Sequence, residues 1–403
     1  MPMPKIVKNK VVSVDDLLDL LGISVLDDIV NELQADKWVS KLKTGTVFKL
    51  IMYSLLDSER VSLRVMEANY NSPMFKALEA SAIGTTCHSS IKDRLVSIDV
   101  RFFESLYDQA VNVLGQHYDT KQLEGYNIKR YDSTMIAVFS HLLEGMKVGN
   151  TSKKKNQVKL TTELQNDFQV RMRFSKEQSD LGEEVALKKL IEQSRHEKND
   201  LIVFDRGLKS RETFVAFKDN CQFVTRLNDK NRYRFIRLCG DVKTAELQGH
   251  ATLEFVQDSI VYLYGDGNKL VREEFRLIEA KRRSDGKSLF FLTNILDLSA
   301  SIIADIYKMR WQIEVFFRFL KQEMNLTHFV CNDINAIQVM IYTTLITAML
   351  ILIYKKKNDI KSYKIAKIQF FKELEASILL ALTETPEGIL RLRQNLKIYI
   401  QKN

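Results

Sequence analysis

Three carboxylates in this chain stand where carboxylates need a reason. Asp132 lies inside the β-like run NIKRYDSTMIAVF at 127–139. Strand interiors disfavour Asp, so a buried one calls for a partner or a metal; an edge strand is the alternative. Asp205 ends the apolar run LIVF at 201–204 and precedes Arg206-Gly207. Carboxylates at strand ends of an α/β sheet face the crevice where ligands bind, although a turn or cap residue looks the same. Glu314 belongs to a helical stretch at 299–324. If that stretch is one helix, Tyr307, Arg310, Glu314 and Lys321 fall within an arc of about 60° spanning about 21 Å. One carboxylate among two cations and a phenol suits a metal ligand flanked by groups that grip successive phosphates. A solvated face with an Arg310–Glu314 i,i+4 pair is the alternative.

Other chemistries find little support. The six histidines are dispersed, without H-x-x-x-H spacing. No G-x-S-x-G, P-loop or G-x-G-x-x-G is present, which argues against a serine hydrolase, an NTPase or a dinucleotide enzyme. The four cysteines form no C-x-x-C pair, which argues against a zinc ribbon. Two basic segments are candidates for phosphate contact. Residues 147–176 hold eight Lys or Arg, including Lys153, Lys154 and Lys155, against two acids. Residues 355–372 hold seven lysines and one acid, with Tyr363, Phe370 and Phe371 interleaved. A solvated surface is the usual meaning of such runs.

The elements that must position these groups change character along the chain. Residues 1–125 read as helical, with helices at 44–57, 61–69, 90–97 and 100–115; Ser90 and Asp93 resemble a capping box for the third of these. Strands are expected at 127–139, 157–165 and 168–177, a helix at 183–195, a strand at 201–204, a helix at 210–219 and a strand at 222–225. Short β-like stretches follow from 228 to 293, with hairpin signals at Asp266-Gly267 and Asp285-Gly286. Long helices close the chain. This order suits an α/β layer with an antiparallel start and parallel additions, compatible with a ribonuclease H-like core.

Lys and Arg total 60 against 51 for Asp and Glu, a net charge of +9 that favours polyanion partners. No signal peptide pattern opens the sequence, and a reduced cytoplasmic protein is the simplest reading. Residues 336–354 carry no charge and precede Lys355-Lys356-Lys357, so by length they could span a bilayer. Gln338, Thr343, Thr344 and Thr347 dilute that signal. The expectation is a core helix packed against the sheet, and no membrane partner.

The residues 307–321, YKMRWQIEVFFRFLK, resemble the Y-x2-R-x3-E-x6-K signature of bacterial DDE transposases of the insertion-sequence-four type. Asp132-Ser133-Thr134 resembles that family's first-aspartate strand. Asp205-Arg206-Gly207, followed by F-V-T-R-L at 223–227, resembles its second-aspartate motif. Leu292-Thr293-Asn294, Ser62-Leu63-Arg64 and His88-Ser89-Ser90 agree too. The likeness covers about 60–350. Leu208 departs from it, where the family commonly has an aromatic, but no metal ligand changes.

The resemblance implies a ribonuclease H-like core at 126–227 and 294–354, interrupted by a β-rich insertion at 228–293. An all-α N-terminal region at 1–125 would bind DNA, and a basic helical region would follow at 355–403. It implies two Mg²⁺ or Mn²⁺ ions, bridged by Asp132 and held one each by Asp205 and Glu314. Arg310 and Lys321 would contact phosphates, and Tyr307 would lie beside a flipped or hairpinned DNA end. The implied partners are double-stranded DNA, as transposon ends and target, and a second copy of the chain on paired ends. A nuclease of the same fold without strand transfer is the nearest rival. A repressor using only the helical N-terminus would need no carboxylate cluster.

Overall fold

The run LIVF is apolar at every position because both of its faces are covered. In the computed structural model Ile202 and Phe204 join one hydrophobic core and Leu201 and Val203 the other. A strand flanked by parallel neighbours and helices on both faces needs this continuous pattern. The structure describes residues 13–21, 23–116, 125–137, 157–165, 168–175, 183–194, 196–197, 199–208, 210–228, 230–239, 250–390 and 392–394. Two compact units emerge: residues 119–135 with 145–316, and residues 1–118 with 136–144 and 317–403.

The first of these is built on a nine-stranded sheet of order β3-β2-β1-β4-β5-β9-β8-β7-β6. Its strands are β1 (Asn127–Ala137), β2 (Gln157–Gln165), β3 (Phe168–Ser175), β4 (Asp200–Phe204), β5 (Gln222–Leu227), β6 (Tyr233–Leu238), β7 (Leu253–Tyr264), β8 (Leu270–Arg282) and β9 (Ser288–Thr293). β1, β4 and β5 are parallel neighbours, and β2 and β3 form an antiparallel pair. The stretch expected to form a β-rich insertion continues this sheet. β9 returns antiparallel to β5, and β8, β7 and β6 follow antiparallel in turn. Within that stretch β7 is one long strand, with irregular register after Phe255 and Val261. Both hairpin signals hold, and Gly267 and Gly286 take the positive φ that such turns require.

Helices cover both faces of the sheet. α8 (Glu183–Gln193) and α9 (Arg211–Asn220) bury Leu187, Leu190, Phe214 and Phe217 with Phe204, Phe223 and Phe275. α10 (Ala300–Lys308) buries Ile303, Ile306 and Tyr307 against Val203, Val224 and Phe291. The stretch 299–324 is therefore not one helix: α10 stops at Lys308 and α11 (Trp311–Gln322) begins after Met309-Arg310. Through this join, Arg310, Gln312 and Ile313 donate their N–H groups to carbonyls three residues back. Such tightening breaks the α repeat, so Tyr307 and Arg310 do not share a continuous helical face with Glu314.

The second unit is helical. Its described helices include α1 (Val14–Leu21), α2 (Ile23–Leu33), α3 (Thr44–Asp57), α4 (Leu63–Asn71), α5 (Pro73–Leu78), α6 (His88–Ser97), α7 (Val100–Gln116), α12 (Ile334–Lys357) and α13 (Tyr363–Thr383). α6 starts two residues earlier than expected, with Cys87 at its N-cap and no side-chain cap bond, so Ser90 and Asp93 do not form the expected box. Ser62 does cap α4, accepting from the Val65 N–H.

α12 is long and apolar enough to cross a membrane, but 89% of its apolar window is buried in the protein. It is a core helix, as its lack of a polar face requires. Its main partners are α7, α13, α3 and α6. Thr343 and Thr347 satisfy their hydroxyls on carbonyls one turn back, and Asn335 donates to the carbonyls of Leu95 and Ile98.

Candidate active site

Strand register decides where the two aspartates meet. β1 and β4 pair in parallel up to Tyr131 and Phe204. Asp132 and Asp205 are each the next residue, so they stand side by side where the two parallel strands stop pairing. That is the crevice position of an α/β sheet. Glu314 enters from the first turn of α11.

Arg310 is the common neighbour. Its guanidinium reaches Glu314 Oε1 at 2.5 Å and Asp132 Oδ2 at 3.3 Å, and its Nε lies 4.0 Å from Asp205 Oδ1. The i,i+4 pair that a solvated helix face would also make is therefore present. The pair is only partly solvated: Arg310 is 12% exposed and Glu314 33%. Asp132 also accepts from the Ser133 N–H at 2.7 Å, and the Tyr307 hydroxyl donates to Asp205 at 2.9 Å. Burial opposes the charge on Arg310, but Tyr307, Asp205, Glu314 and Asp132 outweigh it and hold its pKa above the usual range. Burial, then the Asp205 carboxylate, pushes the Tyr307 phenol up, so it stays a donor.

The helix break aims these groups. By interrupting the helix after Tyr307, it lets Tyr307 face Asp205 while Arg310 faces all three carboxylates. Arg130, fully buried in β1, donates to the Met309 carbonyl at 3.3 Å and so ties the break to the strand that carries Asp132. Arg226 at the end of β5 lies over the Tyr307 ring at 5.7 Å. Neither residue was singled out from sequence. A cation two positions before Asp132 in a β-like run was the available signal for Arg130, by the argument applied to Asp132 itself.

Beside Tyr307 and Arg310 opens a cavity of about 420 Å³, floored by Phe291 and Tyr307 and edged by Arg226, Arg282, Lys308 and Trp311. Aromatic walls with basic edges suit a nucleotide, because bases stack and phosphates pair with cations.

A family model described as a transposase DDE domain matches residues 125–350, more than half of the chain. The chain belongs to the DDE transposase family. Two curated bacterial relatives are named putative transposases. One, y4zB of Sinorhizobium fredii, is 30% identical over 159 residues, covering 39% of this chain and 43% of that protein. The other, for insertion sequence element IS4SA of Synechocystis, is 28% identical over 161 residues, covering 38% and 40%. The chain thus spans about two fifths of the length of these relatives.

For a DDE transposase the natural ligand set is carboxylate, and three carboxylates gathered round one cation match the oxygen donors that Mg²⁺ or Mn²⁺ prefers. They surround the guanidinium rather than one another. Among the described residues, no group of three His, Cys, Asp or Glu is placed to hold a metal ion as it stands. Lys321 follows Glu314 by seven residues on α11 but belongs to the helical unit, half-buried, with its ammonium pKa lowered by burial. Lys153, Lys154 and Lys155 lie outside the described residues.

Proposed function

We propose that this DDE transposase binds the ends of an insertion sequence, cuts them with two divalent metal ions, and transfers the freed 3′-OH ends to target DNA. The observation that carries this reading is the meeting of Asp132, Asp205 and Glu314 on one buried guanidinium. The strand order β3-β2-β1-β4-β5, with a β2–β3 hairpin and parallel β1, β4 and β5, supports a ribonuclease H-like core.

Asp132, Asp205 and Glu314 would hold the two ions. When bound, the ions would supply activation of the attacking oxygen and charge relief for the leaving one. The chain's own groups do the rest. Arg310 balances the carboxylates in their present positions and, once released from them, is placed to grip a phosphate. Tyr307, kept protonated, orients Asp205 through its hydroxyl and offers its ring to an unstacked base in the neighbouring cavity. Lys321 would grip a further phosphate. The active species would be a homodimer on paired ends, acting on the nucleoid in the cytoplasm.

The test is a labelled duplex carrying the inverted repeats that flank the gene. It should be nicked in Mg²⁺ or Mn²⁺ and left intact in EDTA. Specific binding without nicking in either metal would overturn the reading.

Residues 1–125 lie N-terminal to β1 and are assigned the recognition of the ends. Their removal should abolish end-specific binding and leave weak, salt-sensitive affinity. Survival of specific binding would refute that role. For the basic segment, changing Lys153, Lys154 and Lys155 together to Ala should weaken binding to all sequences alike. The salt dependence should flatten by up to about three phosphate contacts. An unchanged slope would show these lysines to be merely solvated.

A further inference from the structure

Arg226 lines two cavities. The first is the one beside Tyr307. The second, of about 310 Å³, has five cations among its described lining residues: Arg206 and Arg211 from the β4–α9 region, Arg226 from β5, and Lys230 and Arg232 from the β5–β6 loop. Among the described residues Glu212 is the one acidic residue in its wall, and Ser210 donates a hydrogen bond to it.

Three of the cations donate to neutral groups. Arg206 donates to the Asn228 side-chain oxygen and Arg232 to that of Asn268. Arg211 donates to Asn231 and to the Tyr264 carbonyl. Among the described residues, Arg206, Arg226, Lys230 and Arg232 form no ion pair. Arg226 Nε is buried without a hydrogen-bond partner among them. Amide and carbonyl partners fix the direction of a guanidinium without neutralising it. A concave wall of such groups focuses positive potential into the cavity. Its chemistry calls for a dianion or a phosphodiester, whose oxygens accept from several donors at once. The volume admits a phosphodiester with ordered water around it.

Position selects among anions. Arg206 adjoins Asp205 in sequence, and Arg226 stacks on the Tyr307 ring that serves Asp205. We infer that this cavity is a second DNA site, taking a backbone phosphate of the strand that lies across the carboxylates and fixing its path towards β6. This rests on the function proposed above and adds to it a phosphate seat outside the tyrosine-to-lysine segment 307–321.

The experiment uses the full-length chain with Glu314→Gln, so that binding is read without cutting. Equilibrium binding to a short duplex is measured from 50 to 200 mM salt, with and without Lys230→Ala and Arg232→Ala. Loss of that one phosphate contact flattens the log–log slope by about 0.9, so the double variant should lose roughly threefold less affinity across that range. The charge-preserving pair Lys230→Arg and Arg232→Lys should keep the parental slope. An unchanged slope in the Ala pair, while the parent binds DNA, overturns the cavity site alone. A flattened slope in the charge-preserving pair also overturns it, because the effect would then be one of folding. If the parent shows no salt-sensitive DNA binding at all, the broader reading falls with it.

Discussion

Glu314→Gln should yield a folded protein that binds DNA and has lost cleavage by roughly a hundredfold or more, about 2.7 kcal/mol of barrier. Gln keeps the size of Glu and can still accept a hydrogen bond from Arg310, which now holds Glu314 Oε1 at 2.5 Å. It lacks the charge that a hard cation needs. An ion pair alone, at a carboxylate 33% exposed, is worth about 0–1 kcal/mol. Were Glu314 only a salt-bridge partner, the variant would cut almost as well as its parent. Cleavage of a labelled end duplex and binding to it, measured on one preparation, separate the two cases. Near-parental cleavage would remove Glu314 from the site.

The largest expected loss of stability lies away from the carboxylates. Arg276 in β8 and Asp258 in β7 form a two-pronged pair at 2.9 and 2.6 Å, with both side chains under 10% exposed. Arg276 Nη1 also donates to the carbonyls of Ile295 and Leu298, in the loop that leads into α10. Arg276→Ala leaves Asp258 buried and uncompensated and strips two carbonyls of their donor. The expected cost is about 3–5 kcal/mol. Each kcal/mol lowers Tm by about 2–4 °C in a unit of this size. Replacing both partners, Asp258→Leu with Arg276→Met, should recover part of the loss, because no buried charge is stranded. Thermal unfolding of the three proteins decides. A double variant no more stable than Arg276→Ala would place the effect in the loop carbonyls rather than in the pair. A loss under about 1 kcal/mol for Arg276→Ala would refute the buried-pair argument.

Much of the architecture was open to reading because it is written locally. The all-apolar β4, the turn glycines at 267 and 286, and the uniformly apolar α12 each carry their signal within a few residues. The helix-to-strand change near residue 125 was legible for the same reason. What misled was also local reasoning carried too far. The apolar spacing of 299–324 continues through Met309 and Arg310, so nothing in it marks the break between α10 and α11. The capping-box pattern at Ser90 lost to an earlier start at His88. The β-like runs after 228 were legible as strands, but their pairing onto β5 was not, since nothing in a strand's own sequence names the neighbour it pairs with.

The sequence by itself determined which groups are available: two aspartates in β-like runs, a glutamate near an arginine and a tyrosine, and an excess of cations. It also determined their order, because order and residue type need no folding. Only the tertiary structure decided that β1 and β4 stop pairing in step, which brings Asp132 and Asp205 together across 73 residues of chain. Only it turned Arg310 towards all three carboxylates, through a break tied down by Arg130. And only it assembled Arg206, Arg226, Lys230 and Arg232 around one cavity. Register, helix interruption and cavity walls are set by which distant strands pair and how helices cover them, and those long-range contacts leave no mark within a few residues of any one site.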